Sequence, residues 1–193
     1  MRAAVAAFAH EFVAFLNAAW TPFHATAEGA KLLEAAGYEH IAETESWDGK
    51  LRPGGKYFFT RNGSAIVAFA VGGAYKPGGG FNIIGAHTDS PCPRLKPISK
   101  SSAHGYLQVG VAPYGGGLWH TWFDRDLTVA GRALVRDPRD GSVRHRLVRI
   151  DRPIMRIPTL AIHLSRTVRC PRRHARAHVG HASRPPRRAA LRC

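Results

Sequence analysis

The segment FNIIGAHTDSP, which begins at Phe81, constrains the fold more than any other feature of this sequence. A short apolar run from Phe81 to Ala86 follows the glycine-rich loop YKPGGG and is succeeded at once by polar residues. Short apolar runs bounded by turn residues are typical of strands that are buried on both faces. In open α/β sheets, ligands bind at the carboxyl ends of such strands. The sequence therefore predicts a buried strand over 81–86 in an α/β domain, with candidate site residues directly after it.

The residues before this run predict two helices and a β-hairpin. Apolar side chains recur at nearly helical spacing over residues 5–20, which indicates an amphipathic first helix. Thr21-Pro22 is a suitable start for a second helix, because proline is tolerated in a first turn. Asn62-Gly63 separates two runs of high β-propensity, and this dipeptide is a strong signal for a hairpin turn.

The pattern changes near Leu95. From there to about residue 165, short runs of high β-propensity alternate with turn residues, and no helical stretch of ten residues occurs. We therefore expect an α/β segment over residues 1–96 and the start of a separate all-β domain over residues 97–165.

The net charge of +15 is concentrated at one end of the chain. Residues 166–193 hold nine of the 28 Lys and Arg residues and none of the 13 acidic residues, and the remainder carries only +6. This tail has no period of 2 or 3.6 and little apolar surface to offset the entropy of ordering, so we expect it to be disordered. It is a solvated basic tail, a nucleic-acid arm, or the product of a shifted reading frame that is foreign to the fold.

Other compositional features narrow the class of protein. No run of eighteen or more apolar residues exists, so no membrane span is expected. Three cysteines do not make a disulfide framework. The first twenty residues are interrupted by polar side chains and lack a clean cleavage site, which argues against a signal peptide. A cytoplasmic location follows.

His87-Thr88-Asp89 is the sharpest candidate for chemistry. An imidazole can bind a metal ion through one ring nitrogen, while the other N–H needs an acceptor that a nearby carboxylate supplies. Side chains two residues apart share a face if strand geometry continues. Taken alone, the same pattern is also compatible with an ordinary hydrogen-bonded histidine near a strand end.

The residues around this pattern carry a family resemblance. GFNIIGAHTDSP resembles the metal-binding segment of the M18 family, the aspartyl aminopeptidases. Upstream, the similar segments are TPFHATAEGAKLLEAAGY and KYFFTRNGSAIVAFAVGG. Downstream, they are LQVGVAPYGGGLWHTWFDRDLTVAGRALV and DRPIMRIPTLAIHL. The resemblance covers about residues 5–165, with several long motifs in the right order.

The resemblance implies a two-domain subunit in which an all-β domain interrupts an α/β catalytic domain and builds large homo-oligomeric shells. It implies removal of N-terminal Asp or Glu from peptides by two bridged zinc ions. The expected fold class is thus an α/β catalytic-domain fragment (1–96), part of an all-β oligomerisation domain (97–165) and a disordered basic tail (166–193).

The same resemblance assigns roles to three residues. His87 is expected to be a zinc ligand, Asp89 to be the catalytic-site residue that orients it, and His163 to help complete a substrate site. In the family, the general-base glutamate and the remaining metal ligands come from motifs that follow later, and none of these motifs is present here. No acid follows Asp151, and a catalytic zinc needs about three protein ligands. We therefore predict that this chain is inactive alone.

Two further interpretations remain open at this stage. The chain could be a non-catalytic assembly partner that acts through residues 97–165. It could also bind nucleic acid through its basic tail. Of the two partners, nucleic acid is the less favoured. Asp124-Arg125-Asp126 could bind a metal ion, but such a triplet more often forms local salt bridges. The run Gly115-Gly116-Gly117 lacks the Lys-Ser/Thr of a phosphate loop and is interpreted as a turn that needs a permissive backbone.

Overall fold

The structure is a computed structural model of mixed helices and sheets. It describes residues 2–103, 106–159 and 176–179. Two compact units are present, and each contains two stretches of the chain. Of the described residues, the first unit contains 2–90 and 131–147, and the second contains 91–103 and 106–130 together with 148–159 and 176–179.

The first unit begins with two helices, α1 (Arg2–Ala18) and α2 (Pro22–Ala35). Thr21 is the N-cap of α2, and its side-chain oxygen accepts a hydrogen bond from the backbone N–H of His24. Proline occupies the first turn, where its missing N–H costs no helical hydrogen bond. The predicted start of the second helix is confirmed.

A three-stranded sheet follows, with strand order β1-β2-β3. Its members are β1 (Glu39–His40), β2 (Lys56–Arg61) and β3 (Ala65–Ala70). β1 pairs parallel with β2, and β2 pairs antiparallel with β3. Asn62 and Gly63 have φ values of 53° and 62°, which is left-handed geometry that hairpin turns favour, and Arg61 pairs with Ala65 across the turn. The predicted hairpin is confirmed.

The core of this unit lies where α2 and β1 approach β2. Its buried apolar residues are Ala25, Ile41, Tyr57 and Phe58. Phe58 is only 1% exposed. Trp47, in the connection between β1 and β2, packs its ring against the sheet, 5.3 Å from the ring of Phe59 and 6.0 Å from that of Phe69. Burial of each large apolar side chain contributes about 1.5–3 kcal/mol, so the sheet has a core of its own.

A second hairpin also contributes to this unit. It consists of β7 (Ala130–Arg136) and β8 (Val143–Arg149), which form a two-stranded sheet. The Arg132 guanidinium donates to the backbone oxygen and to the side-chain oxygen of Asn62, at 2.6 and 2.9 Å. It also lies over the Phe23 ring, 4.2 Å from the centroid. One arginine therefore ties β7 to α2 and to the β2–β3 turn.

The second unit is built on a five-stranded sheet with the order β4-β5-β10-β9-β6. Its strands are β4 (Arg94–Ala103), β5 (Tyr106–Ala112), β6 (Asp126–Leu127), β9 (Met155–Arg156) and β10 (Arg176–Val179). Val111 and Ile157 form its buried centre. A 3-10 helix, Trp119–Trp122, is the only helical element described in residues 106–159. The change to β structure after Leu95 agrees with the sequence pattern.

The predicted buried strand over 81–86 is wrong. None of these residues belongs to a strand, and Ile83 and Ile84 are 87% and 95% exposed. A strand needs a neighbour that accepts and donates backbone hydrogen bonds. In the described part of the chain, no segment pairs with these residues. Apolar composition alone therefore leaves the run irregular.

The expectation of a disordered tail also fails for four residues. Arg176–Val179 forms β10, which pairs antiparallel with both β5 and β9. Strand pairing is made by backbone groups, so a segment without an apolar pattern can still fill the place between two strands that have free edges. The other residues of 166–193 lie outside the described residues.

Candidate metal-binding site

His87 and Asp89 lie together in the irregular segment between β3 and β4. The Nδ1 atom of His87 is 3.4 Å from the Oδ1 atom of Asp89. The His87 side chain is 73% exposed and the Asp89 side chain is 21% exposed. The imidazole is therefore open to solvent, while the carboxylate beside it is partly sheltered.

This pair is compatible with one side of a metal site. A carboxylate beside Nδ1 favours the tautomer that carries its proton on that nitrogen. Nε2 then holds the free lone pair that a metal ligand requires. The arrangement allows His87 to bind a metal ion while Asp89 fixes the tautomer and orientation of the ring.

The described residues do not complete such a site. Residues 2–103, 106–159 and 176–179 contain no group of three or more His, Cys, Asp or Glu side chains that could hold a metal ion. Catalytic zinc ordinarily takes three protein ligands, so a loaded zinc centre does not fit the described residues alone. The predicted substrate residue, His163, lies outside them.

Two glutamates elsewhere in the first unit, Glu43 and Glu45, are engaged in ion pairs. Glu43 accepts hydrogen bonds from the Arg61 guanidinium, which lowers the pKa of Glu43. Glu45 accepts a hydrogen bond from the Lys50 ammonium at 2.5 Å, which lowers the pKa of Glu45. These carboxylates are therefore ionised at neutral pH but are held by cations of their own.

The acidic residues of the triplet 124–126, in the second unit, have a structural role. Asp124 has a φ of 55°, and its backbone N–H donates to the carbonyl of Ile157 at 2.8 Å. Its carboxylate accepts hydrogen bonds from the backbone N–H of Thr159, at 2.9 Å, and from the Thr159 hydroxyl. These hydrogen bonds lower the pKa of Asp124. Asp126 pairs with Arg156 at 2.5 Å, so both acids of the triplet have partners from across the sheet.

The Thr159 contact is a feature that sequence analysis missed. Asp124 and Thr159 are 35 residues apart, and no local pattern signals that they meet. The residue type of Asp124 is consistent with its positive φ, since aspartate adopts the left-handed region more readily than most residues, but residue type alone does not identify Thr159 as the partner. Thr159 stands four residues before His163 in the sequence, so this clamp fixes the described end of the segment that leads to the predicted substrate residue.

No helix in the described part of the chain has both the length and the apolar character that a membrane crossing requires.

Comparisons with known proteins point to one family. A family model described as aminopeptidase I zinc metalloprotease (M18) matches residues 15–178. A probable aspartyl aminopeptidase of Ricinus communis is 61% identical over 160 residues, which are 82% of this chain and 32% of that protein. The aspartyl aminopeptidase of Aspergillus oryzae is 60% identical over 156 residues, which are 81% of this chain and 31% of that protein.

A solved structure shows the same fold. The mApe1 dodecamer of Saccharomyces cerevisiae superimposes with a TM-score of 0.76 and 32% identity, over 89% of this chain and 38% of that one. The chain spans about a third of the length of the curated relatives it matches. Identity at this level over four fifths of the chain is decisive for ancestry, and the chain belongs to the M18 family of zinc metallopeptidases.

Proposed function

We propose that this chain carries part of the active site of a zinc-dependent aminopeptidase that removes N-terminal Asp or Glu from peptides. We also propose that the chain alone is inactive. The observation that carries the proposal is the His87–Asp89 pair, at 3.4 Å, within a chain of the M18 family. In this proposal, His87 is a zinc ligand through Nε2. Asp89 accepts a hydrogen bond from the N–H at Nδ1 and holds the ring in the orientation that ligation needs.

Inactivity follows from the ligand count. His87 supplies one metal bond, Asp89 is engaged in orientation, and the described residues offer no cluster that could supply the rest. A two-metal centre of the kind implied by the family needs a bridging carboxylate and further ligands to each ion. Association of identical copies does not supply the missing ligand motifs, because every copy lacks the same ones. No hydrolytic step is therefore assigned to the described residues.

The substrate assignment rests on relatives. The two relatives above are named aspartyl aminopeptidases, which supports peptides with an acidic N-terminal residue as the substrate class. His163 is proposed to contact that substrate. Homo-oligomerisation is supported by a structural relative that is a dodecamer. We keep two zinc ions and a cytoplasmic location as parts of the same proposal, and the matches above do not favour the nucleic-acid or non-catalytic assembly alternatives.

An assay with an Asp-presenting chromogenic substrate and added zinc tests the proposal. The purified chain should release no product above background. Residues 1–159 fused to the part of the Aspergillus oryzae relative that follows the equivalent position should release Asp and retain zinc. In that fusion, His87→Ala should abolish activity and lower the zinc content measured by mass spectrometry.

Two further variants distinguish the specific roles of His87 and Asp89 from a general loss of folding. Asp89→Asn should weaken zinc binding by about 10–100-fold, as expected for a residue that orients a metal-bound histidine. His10→Ala, at an exposed position on α1, is the matched histidine control and should leave zinc content and rate unchanged. Release of Asp by the chain alone, abolished by His87→Ala, would contradict the ligand count.

A further inference from the structure

The β2–β3 turn contains Asn62-Gly63, a dipeptide whose asparagine is chemically reactive. The backbone nitrogen of the residue after an asparagine can attack the carboxamide carbon, and glycine has no Cβ to hinder that attack. Asn62 is exposed. A Cβ added at Gly63 would meet no atom within 4 Å, so the turn is open to water on that side. Among the described residues, no backbone acceptor holds the N–H of Gly63.

Arg132 holds the Asn62 side chain away from this nitrogen. Its Nη1 atom donates to the backbone oxygen of Asn62 at 2.6 Å and to Oδ1 at 2.9 Å. A guanidinium only donates hydrogen bonds, so the side-chain atom that it contacts is the carboxamide oxygen. One donor atom thus keeps the carboxamide on the carbonyl side of the peptide group that follows Asn62. The oxygen and the nitrogen of a peptide group lie on opposite sides of its carbonyl carbon, so this position separates Cγ from the Gly63 nitrogen.

The clamp depends on the packing of a different hairpin. Arg132 belongs to β7 and is 70 residues from Asn62 in the sequence. Its guanidinium is supported by the Phe23 ring of α2, 4.2 Å from the centroid, in a cation–π contact. Local opening that lifts β7 from α2 would therefore release both oxygens of Asn62 at once.

We propose that Asn62 is a deamidation site controlled by Arg132, which protects it while β7 is packed and exposes it when the clamp opens. In the reaction, the Gly63 nitrogen loses its proton and bonds to Cγ of Asn62. The bond from Cγ to Nδ2 breaks, and Nδ2 leaves as ammonia with that proton. Water then opens the cyclic imide at either of its two carbonyl carbons. This modification is independent of the proposed peptidase function.

The two products have opposite effects on the turn. Water attack at Cγ gives an aspartate, whose carboxylate can pair with the Arg132 guanidinium in a stronger, charge-assisted hydrogen bond. Water attack at the backbone carbonyl gives an isoaspartate, in which the main chain runs through Cγ and gains one carbon. That longer chain does not fit the turn in which Arg61 pairs with Ala65. The first product therefore re-forms the clamp, and the second disrupts the hairpin.

The test follows deamidation of the folded full chain at mildly alkaline pH by peptide mass spectrometry. Arg132→Ala should accelerate the reaction at Asn62 by about tenfold, because it removes hydrogen bonds from a charged donor. Arg136→Ala is the matched control on the same strand, since Arg136 donates to the Gly141 oxygen at 2.9 Å, and it should leave the rate unchanged.

Two other asparagines serve as internal references. Asn17 precedes Ala18 and Asn82 precedes Ile83, so a side chain on the following residue hinders the attack at both positions. Their slower reaction should not respond to Arg132→Ala. An equal acceleration at all three asparagines would mean that the variant unfolds the chain, and it would overturn a specific role for Arg132.

Measurements in urea separate the clamp from the intrinsic chemistry. The native chain and Arg132→Ala should react at the same rate in urea, where neither has the clamp. Retained exchange protection of β2 and β3 checks the folded variant, and Arg132→Lys, expected to give an intermediate rate, replaces it if that protection is lost. Equal rates of the native chain and the Arg132 variants when folded overturn the proposal, and so does a native chain that reacts as fast folded as in urea.

The effect of the first product is tested by Asn62→Asp. This variant should slow hydrogen exchange over residues 130–136, because a charged pair holds β7 more tightly than the neutral hydrogen bond does. Added salt should reduce the difference, since the pair is exposed. Unchanged or faster exchange over 130–136 would overturn the re-formation of the clamp by the aspartate product.

Discussion

The clamp between Asp124 and Thr159 allows a prediction whose magnitude can be worked out from the structure. Asp124 performs two tasks, since its backbone is in the left-handed region and its carboxylate accepts two hydrogen bonds from Thr159. Asp124→Asn keeps a residue type that tolerates this backbone conformation but removes the charge. Asp124→Ala removes the hydrogen bonds and also adds backbone strain.

The two variants should therefore differ in a defined way. A buried hydrogen bond to a charged group contributes about 1.5–3 kcal/mol, but Asp124 is exposed, so screening reduces the contribution of its carboxylate to about 1 kcal/mol. Alanine in the left-handed region costs about 1–2 kcal/mol more. We expect exchange of the Thr159 amide to accelerate by about fivefold in Asp124→Asn and by roughly 30-fold or more in Asp124→Ala.

Hydrogen exchange measured by mass spectrometry at low protein concentration is the appropriate assay. Peptides that cover residues 120–127 and 155–159 should respond, and peptides from the β2–β3 hairpin should not. Equal acceleration in the two variants would contradict the separate contribution of backbone strain. No acceleration in either would refute the clamp itself.

The pH dependence gives an independent check on the sign of the effect. The hydrogen bonds from Thr159 lower the pKa of Asp124 from its ordinary value of 3.8. A carboxyl group whose folded-state pKa is lowered contributes its stabilisation above the ordinary value, and the contribution is lost as the pH falls through the lowered value. The difference in exchange between the native chain and Asp124→Asn should therefore be constant near neutral pH and disappear in acid. A difference that grows on acidification would be the opposite of what this pairing requires.

Two further predictions concern the first unit. Phe58→Ala should destabilise the β1-β2-β3 sheet by about 3–5 kcal/mol, measured by urea unfolding with Trp47 fluorescence, whereas Phe8→Ala at an exposed position should change stability by less than about 0.5 kcal/mol; similar losses would place Phe58 outside the core. Gly63→Ala should cost about 1 kcal/mol or more because of its positive φ, whereas Gly80→Ala, where an added Cβ meets no atom within 4 Å, should have almost no effect on the same unfolding curve.

The features that sequence analysis predicted correctly are those coded by adjacent residues. Thr21-Pro22 marks the start of α2 because capping involves atoms within one turn. Asn62-Gly63 marks the hairpin because both residues tolerate the left-handed geometry. Similarly, Gly115 has a φ of 76°, as expected for a loop that needs a permissive backbone. In each case, the residues that carry the signal also form the structure.

The features that escaped prediction depend on partners distant in the sequence. Arg132 finds Asn62 across 70 residues, and Asp124 finds Thr159 across 35. The pairing of β10 with β5 and β9 uses backbone groups, which every sequence provides alike. Periodicity within one segment does not predict such contacts, because each contact depends on the position of a partner that is distant in the sequence.

The run 81–86 and the lone imidazole of His87 illustrate one physical limit of prediction from a local pattern. The sequence predicts that the run is buried and that His87 binds a metal ion, but the structure leaves Ile83 and Ile84 exposed. Burial of the run and metal binding by His87 both require neighbouring residues, and the local sequence does not supply those residues. Without a pairing strand, the exposed run gains no hydrogen bonds to offset the entropy of ordering. Without further ligands, one imidazole does not hold a catalytic zinc. A neighbour that pairs with residues 81–86 should also fix the position of His87, because the run connects directly to that residue.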